Sequence, residues 1–324
     1  MRQPYDTTKA PDSKLDYRHE GFNQRQTLRI FIHPKTQPSI IMKLPFALAR
    51  RFVAGETFKA AIPKVQELND KGIKVSLDLL GENVKDRRTA DQTTIEYVDL
   101  LHGIQDMGLQ SNISIKLTML GLDIDTKYCI QNLYHLLDVA SKSGQFVRID
   151  MEGSPYTQQT IDILKAAHAK YPGHVGTVIQ AMLYRTAQDI PDLAHLGADV
   201  RLCKGAYKEP TNIALQNMPD IRSAYKTYAK QLLGVTPYPR LATHDDELIQ
   251  FVLDYTTEQG ISKDRFELQM LYGLRQNTCE ELVQKGYNVR VYVPYGTMWY
   301  PYFSRRLRER KENVWFVVST LFKK

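Results

Sequence analysis

From about Leu44 onward, short runs that are apolar at nearly every position, or at every second one, alternate with longer runs whose apolar residues recur about every 3.6 residues. The short runs predict strands: VSLDLLGE from residue 75, NISIKLT from 112, FVRIDME from 146, HVGTVIQAM from 174, DVRLCKGAY from 199, PRLATHD from 239, FELQMLYG from 266 and VRVYVPYG from 289. The longer runs, among them TIEYVDLLHGIQDMG, CIQNLYHLLDVASKSG and TIDILKAAHAKYPG, predict amphipathic helices that close on a glycine. Ahead of the first strand, FKAAIPKVQELNDKG spaces Phe58, Ile62, Val65 and Leu68 along one helical face, and Pro63 argues for a kink or a late start. Eight strands alternating with helices is the count of a (β/α)8 TIM-type barrel, with an open doubly wound sheet as the competing arrangement. Residues 1–44 stand apart, polar and carrying Pro4, Pro11, Pro34 and Pro38, and read as an arm ahead of a barrel over 45–324.

In such a barrel the catalytic groups sit at the C-terminal ends of the strands. Alternation places Ser114, Lys116 and Thr118 on one face of the second strand and Arg148, Asp150 and Glu152 on one face of the third. The first strand ends at Glu82, and later ones contribute Gln180, Arg201 with Lys204, Thr243 to Asp245, Gln269 and Tyr292. Charges of both signs therefore converge on one mouth, where they must pair with each other or with a ligand.

Composition adjusts this picture only slightly. Lys and Arg exceed Asp and Glu by 43 to 36, a mild excess that favours anionic partners without requiring nucleic acid. Cys129, Cys203 and Cys279 are widely spaced and form no CxxC, which suggests neither a disulfide framework nor a zinc site and fits a reducing cytoplasm. No apolar run approaches the roughly 18 to 20 residues that span a bilayer. The stretch IIMKLPFALARRFVAG could lie on the inner membrane face, or be an ordinary packed helix start.

The chemistry narrows by elimination. No GxGxxG follows a strand and no GxxxxGK[ST] occurs, so neither a Rossmann site nor a P-loop is supported. Glu82, Asp150, His244 and Asp245 could be enlisted for a metal, but HxH and HExxH are missing and the neighbouring cations oppose it. A Schiff-base lyase using Lys116 or Lys204 is an alternative on the same barrel. A basic module that binds nucleic acid through the C-terminal arginines, with Tyr300, Tyr302 and Phe303 interleaved, is the alternative from another class. The remaining reading is an anionic cofactor with a small acid, since RLCKGAYKEP sets Arg201 and Lys204 beside Gly205 and Ala206, small enough for a pyrophosphate to reach the backbone.

The motifs RFVAGET, LDLLGE, IKLTMLGLDID, FVRIDMEGSP, RLCKGAYKEP, LATHD, FELQMLYG and RVYVPYGTMWYPYFSRRLRER stand in the order of the proline dehydrogenase family, which the chain resembles from roughly Arg51 to its C-terminus. The resemblance implies a distorted (β/α)8 barrel whose last helix lies over the mouth. It also implies non-covalent FAD, oxidation of L-proline to 1-pyrroline-5-carboxylate, and electrons passed to a membrane quinone. By the same resemblance Arg305 and Arg306 hold the proline carboxylate with help from Lys116, and Asp150 sits beside the substrate and pairs with Lys116. Tyr292 packs on the ring, Leu271 adds apolar surroundings, and Glu82 pairs with Arg305 to close the lid. Gln180 and Arg201 serve the isoalloxazine, with Arg201 and Asp150 as the catalytic pair; Lys204, Gly205 and Ala206 line the pyrophosphate side, and Met151, Thr243, His244 and Gln269 complete the cofactor site. Met119 stands where the family more often has glutamine, and Gly153 where an acidic residue is common. A length of 324 residues leaves no room for an aldehyde dehydrogenase domain, so a separate pyrroline-5-carboxylate dehydrogenase is expected downstream.

Overall fold

Each of the eight apolar runs forms a strand: β1 (Lys74–Leu79), β2 (Ser111–Ile115), β3 (Val147–Ile149), β4 (Val175–Gln180), β5 (Asp199–Cys203), β6 (Arg240–Ala242), β7 (Glu267–Leu271) and β8 (Asn288–Tyr295). All neighbours are parallel, and β8 returns to β1 to close the barrel in sequence order, which removes the open doubly wound alternative. The computed structural model describes residues 46–309, and the arm over 1–44 lies outside them.

The intervening helices are α1 (Phe58–Asp70), α2 (Arg87–Asp106), α3 (Thr126–Lys142), α4 (Thr157–Lys170), α5 (Thr186–His195), α6 (Met218–Val235), α7 (Asp246–Glu258) and α8 (Gln276–Gln284), with α9 (Trp299–Glu309) following β8. Side-chain oxygens cap the first three: Thr57 accepts from Ala60 N–H, Asp86 from Thr89 N–H and Asp125 from Tyr128 N–H. The Thr57 cap, rather than Pro63, sets the start of α1, and the helix runs through the proline.

Alternation in these strands divides two unlike environments. Val75, Leu77, Ile113, Ile115, Val147, Ile149, Val200 and Leu202 are fully buried in the main apolar core. The other face is polar, and hydrogen bonds between non-neighbouring strands identify it as the lumen: Arg201 on β5 donates to Ser114 on β2, and Arg290 on β8 donates to Asn112 on β2. The apolar core of this barrel is therefore the layer between sheet and helices, while the lumen carries an ion network.

That network has a lower tier near the strand N-termini. Arg240 donates to Asp199 (2.6 Å) and Glu267 (2.9 Å), and Arg290 donates to Glu267 through Nε (2.8 Å) and Nη2 (3.1 Å). Arg148 is a correction to the sequence reading. Alternation put it on the same face as Asp150, and so at the mouth, but its guanidinium turns down to Asp199 and to the Thr177 and Asp199 carbonyls. A long side chain reaches a tier different from the one its Cα occupies.

The segment before α1 packs rather than lying open. Ala49, Phe52 and Val53 are buried with Leu80, Trp299, Tyr302 and Phe303, so residues 46–55 and α9 share a small apolar cluster beside the mouth. Trp299 Nε1 also donates to Glu56 at 3.3 Å. Gly273 permits this approach: its φ is +76°, and a Cβ there would stand 1.7 Å from the Arg51 carbonyl oxygen.

Candidate active site

At the strand C-termini the upper tier centres on Asp150, just beyond β3. Its Oδ1 accepts from Ser114 Oγ (2.9 Å) and Arg201 Nη1 (2.8 Å), and its Oδ2 accepts from the Tyr292 hydroxyl (2.7 Å). Arg201 is held on three sides, since its Nε also donates to Gln269 Oε1 (2.6 Å) and its Nη2 to Ser114 Oγ (3.3 Å). The same guanidinium lies over the Tyr292 ring, 5.4 Å from its centroid. Burial and the Asp150 charge hold the Tyr292 hydroxyl far above its ordinary pKa, so it remains a donor.

Lys116 is the second correction. The resemblance pairs it with Asp150, whereas its ammonium donates to Asp78 at 2.8 Å, both groups being buried. Burial alone would lower the lysine pKa, but the charges of Asp78 and Asp150 outweigh it and hold it above the ordinary value. Asp78 was missed as a site residue. Its signal was present in VSLDLLGE, where an aspartate interrupts an otherwise apolar strand. Glu267 was missed in the same way inside FELQMLYG; it accepts from Gln269 Nε2 at 2.6 Å and so ties the two tiers together.

The lid contact expected between Glu82 and Arg305 is present, with Arg305 Nη2 donating to Glu82 Oε1 at 2.9 Å. Arg306 is buried and lies over the Tyr302 ring, 5.2 Å from its centroid. Consecutive helical positions do not face one another, so the two guanidiniums come off α9 in different directions. Burial withdraws Arg306 from the exposed basic surface that a nucleic-acid reading needs.

Around the rest of the mouth, Gln180 is buried and donates to the Glu152 carbonyl (3.2 Å), while the Glu152 carboxylate accepts from Thr118 Oγ1 (2.6 Å) and N–H (3.2 Å). Lys204 shares Asp245 with Arg222, at 3.1 and 2.8 Å. Thr243 Oγ1 accepts from Asp245 N–H (3.1 Å), and His244 Nε2 accepts the Leu271 N–H (2.7 Å), which places the proton of a neutral imidazole on Nδ1. Met151 is buried at the end of β3, and Met119 fills the space over Gly81, with the Tyr97 hydroxyl 3.7 Å from its sulfur.

The proline dehydrogenase family model matches residues 61–319. The chain belongs to the proline dehydrogenase family. Among curated relatives, proline dehydrogenase 2 of Bacillus subtilis is 43% identical over 276 residues, covering 85% of this chain and 91% of that protein. The proline dehydrogenase of Deinococcus radiodurans is 37% identical over 280 residues, covering 85% and 90%. The crystal structure of proline utilization A from Bdellovibrio bacteriovorus, inactivated by N-propargylglycine, superposes with a TM-score of 0.76 at 23% identity, covering 82% of this chain and 32% of that one. The closed parallel barrel is thus the proline dehydrogenase fold. Of the two residues that the sequence reading missed, Asp78 pairs with Lys116 and Glu267 stands in the lower tier.

Proposed function

We propose that the chain oxidises L-proline to 1-pyrroline-5-carboxylate with non-covalently bound FAD, passes the electrons to a quinone, and releases its product to a separate pyrroline-5-carboxylate dehydrogenase. The observation that carries this reading is the immobilised Arg201–Asp150–Tyr292 group beside the Lys116–Asp78 pair, beneath an arginine lid held by Glu82.

The residues present fit the cofactor. Gly205 has φ +118°, a backbone conformation that side chains rarely adopt, and Lys204 adjoins it as a cation for a pyrophosphate. Gln180 and Arg201 would hold the isoalloxazine, and Ala206, Met151, Thr243, His244 and Gln269 the remainder. When bound, FAD supplies the acceptor for the hydride that leaves the ring carbon beside nitrogen. Arg201 would set a positive charge against the negative charge that grows during that transfer. Arg305, Arg306 and Lys116 would bind the proline carboxylate through charge-assisted hydrogen bonds. Tyr292 would pack on the ring, Leu271 would line it, and Asp150 keeps Tyr292 and Arg201 in place.

The Schiff-base alternative requires a neutral attacking lysine, and Lys116 is held charged on Asp78. Among the described residues no helix is long and apolar enough to cross a membrane.

The test is a visible spectrum of the purified protein before and after anaerobic L-proline. Oxidised flavin bands near about 450 nm that bleach with proline support the reading. Flavin left oxidised by proline would sink the substrate assignment, and failure to bind FAD on reconstitution would sink the cofactor assignment.

A further inference from the structure

At the end of the barrel opposite the catalytic mouth, Lys74 on β1 and Arg290 on β8 are partners in register. Like charges so placed on adjacent strands repel unless something lies between them. Arg290 uses four of its five N–H groups: it donates to Glu267 through Nε and Nη2, to the Val75 carbonyl at 2.6 Å and to Asn112 Oδ1 at 3.1 Å. Lys74 has no carboxylate within ion-pair distance among the described residues; its hydrogen bond is to the neutral Asn288 amide oxygen at 3.3 Å.

The charge of the lower tier does not balance. Lys74, Arg148, Arg240 and Arg290 are set against Asp199 and Glu267, four cations against two carboxylates. Glu267 is the carboxylate whose field reaches Lys74, and Arg240 and Arg290 already share it. Burial therefore lowers the Lys74 pKa, and the two arginines push it the same way. Beside this pair opens a cavity of about 490 Å³, lined by Lys74, Arg290, Asn112, Ser111 and Gln145 among others, with no Asp or Glu in its wall. The space is open to solvent, and its wall joins the apolar Ile104, Leu109 and Phe146 to amides, hydroxyls and two cations, so that its charged end suits a small polar ligand of negative charge.

We propose that this cavity is an anion site, in which Lys74 and the Arg290 edge hold a small oxyanion of the phosphate or sulfate class. The bound anion supplies the charge that the lower tier lacks and ties β1 to β8 at the closure of the barrel. The site is separate from the mouth and does not depend on the proline reading.

The experiment follows the thermal midpoint of the full chain, saturated with FAD, as inorganic phosphate or sulfate replaces chloride at constant ionic strength. A ligand that binds only the folded state raises the midpoint saturably. The expected result is a saturable rise whose apparent affinity falls about tenfold or more in Lys74→Met, the loss of one charge-assisted contact. Gln110→Glu, which adds a carboxylate to the exposed cavity rim, is expected to weaken it too and decides the matter if Lys74→Met does not fold. Lys165→Met, an exposed lysine on α4 outside the cavity wall, is expected to leave it unchanged. No saturable rise, full retention in the folded rim variants, or loss in Lys165→Met would each overturn the site.

Discussion

Arg201 and Gln269 are joined by a 2.6 Å hydrogen bond from the guanidinium Nε to the amide oxygen, and Glu267 decides which way that amide faces by accepting its Nε2 at 2.6 Å. A carboxylate accepts only, so the amide nitrogen must point down and the oxygen up toward Arg201. Gln269→Met keeps the volume and removes the acceptor. Loss of one hydrogen bond to a charged group predicts a fall in kcat of about 10- to 100-fold. The proline KM should change little, and stopped-flow flavin reduction would show whether the loss lies in the hydride step.

Asp78→Asn leaves the Lys116 ammonium buried without its nearest counter-charge. Breaking a buried pair in this way costs about 3–5 kcal/mol, and the lysine pKa should fall toward neutrality. Urea denaturation at neutral pH checks the first consequence. A KM for proline that worsens as pH rises, earlier than in the parent, checks the second.

Glu82 and Arg305 are each about a quarter to a third exposed, so their pair contributes little to stability. Glu82→Gln is expected to shift stability by no more than about 1 kcal/mol. Its effect should instead appear as an increase in KM of about fivefold, the equivalent of about 1 kcal/mol in binding. A large drop in the unfolding midpoint with unchanged KM would assign the pair to structure rather than to the lid.

The pH dependence of turnover should rise from neutral into mildly alkaline buffer. The nitrogen lone pair must be available as hydride leaves the adjacent carbon, so the substrate amine reacts in its neutral form. Lys116, held above its ordinary pKa, stays charged across that range, so the carboxylate contact proposed for it would persist. Rates that fall steadily over the same interval would contradict this.

Acid should unfold the barrel from its lower tier. Burial alone would raise the Glu267 and Asp199 pKa values, but the surrounding arginines outweigh it, and both lie below their ordinary values of 4.5 and 3.8. Carboxylates depressed in the folded state contribute stability that is complete above their unfolded values and is lost as pH falls toward the folded ones. The urea midpoint is therefore expected to hold from neutrality to about pH 4.5 and drop below it. Glu267→Gln should be less stable at neutral pH by about 3–5 kcal/mol, with a shallower acid slope.

Periodicity and turn residues alone were enough for the eight strands and for the helical runs named above, because burial on a strand or helix face imposes a local period that any single run displays; the order of the strands in the sheet was settled by closure of the barrel. The mouth was legible for a similar reason: a polar or charged side chain in an apolar strand needs a partner, and Asp150, Arg201, Gln269 and Tyr292 announce themselves in that way. Asp78 and Glu267 carried the same signal and were passed over. Which charge meets which was decided only by closure of the barrel. Alternation assigns a side chain to the lumen but says nothing of its height there, so Arg148 could share a face with Asp150 and still bind Asp199 below. Lys116, likewise, had two carboxylates in reach on paper. The register between strands 35 or more residues apart in sequence brought Asp78 to it, and gave Asp150 to Arg201.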